Sequence, residues 1–184
     1  MRQQTARVAL LRGINVGGRN ALPMKELAAM FVAAGCADVR TYIQSGNVVF
    51  HAAPAIARRV PGVIAKAIED AFGFRTPVIT RSAAELADIV ASNPFLARGA
   101  DAGALHVAFL DDEPSAAQLA ALDPERGAPD DLFEAGGREI YLCCPSGLAR
   151  TKLTNAYFDS KLATTSTFRN WRTVLQLLEM TSAR

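Results

Sequence analysis

Residues 12–20 read Arg-Gly-Ile-Asn-Val-Gly-Gly-Arg-Asn, and the span 13–18 has the G-x4-G spacing with which a phosphate-binding P-loop begins. In a P-loop a Lys follows, to neutralise the β- and γ-phosphates, and then a Ser or Thr whose hydroxyl holds Mg²⁺. Arg19 and Asn20 stand at those places here, and the helical pattern starts only near Pro23. Both departures argue against triphosphate hydrolysis. Two readings remain open. Backbone N–H groups of the glycine-rich turn can form an anion nest flanked by Arg12 and Arg19. Alternatively, Gly13, Gly17 and Gly18 simply permit a tight irregular loop.

A second polar cluster is Gln44-Ser45-Gly46-Asn47. Two β-forming runs flank Ser45-Gly46, which predicts a two-residue hairpin with Gln44 opposite Asn47. Other chemistry is sparse. His51 follows a strand on the far side of that hairpin, and His106 sits in an apolar strand, where a satisfied sheet residue is the simpler reading. Ser45 therefore has no evident histidine base, although Lys25 on the first helix can approach it. Asp111-Asp112-Glu113 are ordinary helix-capping or solvent-facing acids before Pro114. The three cysteines, Cys36, Cys143 and Cys144, have no C-x-x-C spacing and read as buried thiols of a reducing compartment. No residue pattern names a cofactor.

The elements that must position these residues follow from periodicity. Residues 7–11 form a short apolar strand. Met24, Leu27, Ala28, Met30 and Phe31 then mark a helix that Gly35 ends. Residues 39–44 and 47–51 are strands. Residues 56–72 form an amphipathic helix interrupted near Pro61, and 76–80 a fourth strand. This β-α-β-β-α-β order is the ferredoxin-like pattern, with an expected sheet order of 4-1-3-2. The loop after the first strand, the hairpin turn and residues 73–75 then meet at one end of the sheet.

Ser82 with Glu85 predicts a capping box opening a helix over 83–91. Further along come a strand at 105–110, a helix at 115–122, a hairpin of 132–135 with 139–143, and helices at 154–162 and 169–180, the last with Ser166 or Thr167 as its cap. Trp171, Val174, Leu175 and Leu178 mark its apolar stripe. The fold class is therefore α+β, with a ferredoxin-like subdomain over residues 1–81 and a second, smaller α+β subdomain over 82–184. The second repeats a β-α-β-β-α order in topology alone, since no repeated residues stand out.

The chain has 184 residues and a net charge of +2, unevenly spread. Residues 1–81 carry 11 Lys+Arg against 4 Asp+Glu, residues 82–149 carry 3 against 12, and residues 150–184 carry 6 against 2. A basic front and tail can draw in an anion, or pair with the acidic middle. Apolar runs fall far short of the ~20 residues that cross a bilayer, and the N-terminus lacks a signal-peptide pattern. No membrane partner is expected, and the setting reads as cytoplasmic.

The run VALLRGINVGGRNALPMKELAAMF, followed by VRTYIQSGNVVF, closely resembles the opening of a bacterial family known as domain of unknown function 1697. Ile140-Tyr141-Leu142, Pro145, Lys152-Leu153 and Arg169-Asn170-Trp171-Arg172-Thr173 resemble its end, with Thr151 standing where the family pattern has Ser. The resemblance implies a cytoplasmic two-part α+β protein and no particular activity. Its signature residues fall on predicted loops and helix starts. They suggest a ligand site of Arg12, Asn15, Gly17, Gly18, Gln44, Ser45, Asn47, Lys152, Arg169 and Asn170. The expected partner is a small anionic ligand, a nucleotide or phosphometabolite, or a nucleic-acid backbone. An enzyme acting on a small phosphorylated or acyl substrate through Lys25, Ser45 or Lys152 is the alternative.

Overall fold

Apolar side chains on both faces build the first sheet. Residues 4–127 and 129–182 are described by a computed structural model of the chain. The first elements are β1 (Thr5–Leu11), α1 (Met24–Ala33), β2 (Ala37–Tyr42), β3 (Asn47–Ala52), α2 (Pro54–Phe72) and β4 (Val78–Ser82). The sheet runs β2-β3-β1-β4 with every pair antiparallel, which is the order the sequence predicts. Ala9, Leu11, Val48, Phe50 and Val78 project to one face and pack on Leu27, Phe31, Val60, Ile64 and Ile68 of α1 and α2. Val8, Leu10, Val49 and Ile79 on the other face are also buried, at 0–1 % exposure. Both faces of this sheet are therefore covered.

Two local expectations change. The helix α2 begins at Pro54 and continues through Pro61, because its buried stripe of Ala57, Val60, Ile64 and Ile68 lies on both sides of the proline. Packing thus outweighs the ~3 kcal/mol that an interior proline costs. The hairpin is also wider than predicted. Tyr42, not Gln44, pairs with Asn47, and residues 43–46 form the turn. Ile43 adopts φ +48° and leaves the strand, while Gly46 at φ +76° folds back so that Leu11 N–H donates to its carbonyl at 2.8 Å.

The second sheet is built from β5 (Leu105–Leu110), β6 (Leu132–Gly136), β7 (Glu139–Cys143) and β8 (Ser166–Asn170), in the order β6-β7-β5-β8. Its helices are α5 (Ala116–Ala120) and α6 (Asn155–Leu162); α3 (Ala83–Ala91), α4 (Pro94–Ala97) and α7 (Trp171–Ser182) complete the chain. The strand β8 corrects the helix expected from Arg169. Ser-Thr-Phe-Arg is a short alternating run that pairs with β5, and the helical stripe begins only at Trp171. Ser166 and Thr167 are thus strand residues, and Asn170 caps α7 by accepting from Thr173 N–H at 2.8 Å. The predicted box at α3 is present, with Ser82 and Glu85 bonded reciprocally. Among the described residues no helix is long and apolar enough to cross a membrane.

The chain divides into two compact units, Met1–Ala87 with Gln176–Arg184, and Asp88–Leu175. Internally they repeat one another in register. Val8 lies opposite Val49 and Arg81, and Val107 lies opposite Tyr141 and Arg169. Leu10 meets Asn47 and Ile79, and Phe109 meets Glu139 and Thr167. Arg81 and Arg169 are both buried, and each donates Nη1 to the carbonyl of the residue before it. Each also precedes the residue that caps a helix. The repeat therefore reaches residues, as Val8-Ala9-Leu10-Leu11 against Val107-Ala108-Phe109-Leu110, and is more than topological.

Candidate functional site

The glycine-rich connection between β1 and α1 is a small finger, not an irregular loop. Arg19 N–H donates to Val16 O at 3.0 Å, and Gly17 and Gly18 between them have φ +56° and +73°. Two central residues at positive φ make a type I′ hairpin turn, a conformation that asks for glycine. A Cβ at either glycine would meet nothing within 4 Å. Conformation and openness, not crowding, fix the residue type there. Among the described residues the N–H groups of Gly17 and Gly18 bond to no protein acceptor.

Two asparagines in the left-handed region anchor the finger, Asn15 at φ +54° and Asn20 at +53°. Asn15 N–H donates to Asn20 O at 3.1 Å, and Asn20 Nδ2 donates to Gly13 O at 2.9 Å. The Asn15 amide does more. Its Oδ1 accepts from Leu22 N–H at 2.8 Å, and its Nδ2 donates to Leu22 O at 2.9 Å and to Gln44 O at 2.8 Å. One side chain therefore ties the finger to its return strand and to the β2–β3 turn. Ile14 and Leu22, each 1 % exposed, peg the finger into the core.

The turn is equally constrained. Asn47 is fully buried, and its Nδ2 donates to Tyr42 O at 3.2 Å and to Ser45 Oγ at 2.9 Å. A Cβ on Gly46 would lie 2.7 Å from Leu11 Cβ and 2.9 Å from Ile14 Cδ1. A third strand of contact comes from Thr76, whose hydroxyl donates to Arg12 O at 2.6 Å, while Arg12 N–H donates to Pro77 O at 3.2 Å. Sequence reasoning missed Thr76. Its only signal was a Thr before Pro at the start of an expected strand. Arg75, expected at this end, is exposed and pairs with Glu69 at 3.3 Å.

Arg12, Asn15, Gly17, Gly18, Gln44, Ser45 and Asn47 thus share one end of the first sheet, and the structure gives Asn15 and Asn47 work inside it. What the end offers to solvent is Gly17, Gly18, Arg19 and Gln44, together with Val16 at 63 % exposure and Ile43 at 51 %. His51 lies at the other end of β3, 3.5 Å from Asp38. Lys152, Arg169 and Asn170 belong to the second unit. Lys152 is exposed and lines a cavity there. Arg169 is buried, donating to Thr167 Oγ1 at 2.9 Å and Phe168 O at 2.7 Å, and burial pushes its guanidinium down to about 10. Asn170 is occupied as the α7 cap.

Comparison with known proteins adds the following. A family described as a protein of unknown function (DUF1697) matches residues 4–141. The solved structure of a conserved bacterial protein from Streptococcus pneumoniae is similar in fold, with a TM-score of 0.74 at 22 % identity, covering 97 % of this chain and 99 % of that one. No curated protein matches the chain.

Proposed function

The chain belongs to the DUF1697 family, and from that premise we propose that the finger end of the first unit binds a small anionic ligand, a nucleotide or phosphorylated metabolite. The observation that carries the reading is a difference between the two repeats. The second unit makes the β5–α5 connection with residues 111–115, whereas the first uses residues 12–23 for the equivalent β1–α1 connection. The extra length serves no topological need. It is held rigid by the Asn15 amide, ends in an open glycine tip and carries Arg12 and Arg19. Backbone N–H groups at such a tip, with the exposed Arg19 on the next residue, suit phosphate oxygens. The element and strand order of each unit supports reading both as ferredoxin-like, and three free, buried thiols support a reducing, cytoplasmic setting.

A thermal-shift screen of the full chain against ATP, ADP, ribose 5-phosphate, pyrophosphate and a short oligonucleotide tests the reading. A ligand at ~100 times its dissociation constant adds ~2.7 kcal/mol of stability. Arg19→Gln, at an open position, should remove that gain while the unliganded chain stays folded, and Gly18→Ala, which strains the turn at φ +73°, should remove it too. A gain that survives both substitutions places the ligand elsewhere and sinks the reading. If only the oligonucleotide binds, with a steep salt dependence, the partner is a nucleic-acid backbone and not a small molecule.

A further inference from the structure

The second unit has its own enlarged connections, and they lie at the end of its sheet opposite the β6–β7 turn. In the first unit the α1–β2 connection takes residues 34–36 and the β3–α2 connection takes Ala53 alone. The equivalent connections in the second unit, α5–β6 and β7–α6, take residues 121–131 and 144–154. The repeat shows that neither needs that length to fold. Between them they line a cavity of about 220 Å³ whose walls include Arg126, Asp130, Asp131, Ser146, Arg150 and Lys152.

The walls are tied down from within. The Arg126 guanidinium lies 4.2 Å from the Tyr157 ring centroid, and its Nε donates to Lys152 O at 3.0 Å, joining the two connections. Asp123 N–H donates to the Tyr157 hydroxyl at 2.7 Å. Asp131 N–H donates to Gly127 O at 3.1 Å, and a Cβ on Gly127 would lie 2.5 Å from Asp131 O, so only glycine admits this turn. Gly147 N–H donates to Cys144 O at 2.9 Å and Arg150 N–H to Gly147 O at 3.2 Å, which sets Ser146 and Arg150 on one coil.

Three cations, Arg126, Arg150 and Lys152, stand against two carboxylates, Asp130 and Asp131, on these walls. Among the described residues neither Arg150 nor Lys152 makes an ion pair, although Asp130 and Asp131 line the same cavity. Asp131 Oδ1 is shielded from solvent and accepts no hydrogen bond from any described residue. Three cations around a small concavity match a phosphate dianion. We propose that this cavity is an anion site of the second unit that takes a small phosphorylated compound. Arg126, Arg150 and Lys152 hold the phosphate. The volume sits below the ~300 Å³ at which drug-sized pockets begin, which suits a ligand of that size. The site shares no residue with the finger end and does not rest on the function proposed there.

Titration calorimetry on the full chain with ribose 5-phosphate, inorganic phosphate and ribose tests it. Ribose 5-phosphate and inorganic phosphate should both bind saturably, and ribose should give no heat. Arg150→Gln and Lys152→Gln should each weaken ribose 5-phosphate by about tenfold or more, the loss of one charge-assisted contact, and Lys152→Arg should keep most of the affinity. Arg19→Gln, which removes only binding at the finger, should leave the heat that depends on Arg150 and Lys152 in place. Absence of saturable heat with either phosphate overturns the site. So does wild-type affinity in both the Arg150 and Lys152 variants, or a loss confined to Arg19→Gln.

Discussion

Asn15 shows how one side chain can look like a ligand-binding residue and serve as a fastener. Its three bonds to Leu22 and Gln44 hold the finger against the turn, and its left-handed φ is one that asparagine tolerates. Replacing it with alanine leaves Leu22 and Gln44 backbone groups unpaired, so Asn15→Ala should lower the stability measured by urea unfolding by about 2 kcal/mol. Ile43 predicts the opposite sign. A β-branched residue at φ +48° is strained, and this one is half exposed with little burial to lose. Ile43→Asn should raise stability by about 1 kcal/mol; a loss instead would mean that the isoleucine packs on something essential. His106 carries the pH dependence. Burial lowers its pKa below the ordinary 6.5, and the contact of its Nδ1 with Ala104 O at 3.2 Å only partly opposes this. The unfolded chain therefore takes up the proton first. Stability should fall as pH drops from 6.5 towards the folded value, and His106→Gln should lack that component. The difference in urea midpoint between wild type and variant should thus be smaller at about pH 5 than at about pH 7.5. The sequence made the polar residues of the finger and turn legible as a group, since Gly, Asn and Ser punctuate them. It did not reveal which were internal, because that depends on bonds across residues far apart in the chain.

Elements were legible wherever periodicity and a cap agreed. The Ser82–Glu85 box and the β1–β4 order are cases, each set by signals within a few residues. The misplacements were of another kind. Pro61 reads as an interruption because local propensity knows nothing of the stripe that buries α2 on both sides of it. The β2–β3 turn looked two residues long because Gln44 is compatible with a strand, whereas the fold of Gly46 onto Leu11 and Ile14 demands a wider turn. The strand β8 was hidden because Arg169-Asn170 sits directly before a strong helical stripe, and the pairing with β5 that makes it a strand is long-range. That boundary yields a prediction. Asn170 accepts from Thr173 N–H as an N-cap, so Asn170→Ala should cost about 1 kcal/mol in equilibrium unfolding, while Asn170→Ser should retain most of it. Equal losses in both would show that Asn170 acts through something other than the cap.

At the scale of the whole chain, the two units share one register and differ in their connections. The first elaborates the β1–α1 joint, and the second elaborates α5–β6 and β7–α6. Composition foretold none of this, because connections of equal topological rank look alike until the strands are paired. The buried thiols are spread over both units, Cys36 in one and Cys143 and Cys144 in the other. Burial raises the pKa of all three, and for Cys144 burial and then Asp131 push it up to about 11. Iodoacetamide should therefore leave the native chain unlabelled by mass, and label all three once denaturant exposes them. Rapid native labelling would mean that a unit opens on its own. The matched register also makes the molecule its own reference. Ala9 and Ala108, Asn47 and Glu139, or Arg81 and Arg169 occupy corresponding places on the same backbone among different neighbours. The same substitution made once in each copy is a paired experiment inside one polypeptide, in which strand geometry is held constant and only the surroundings vary.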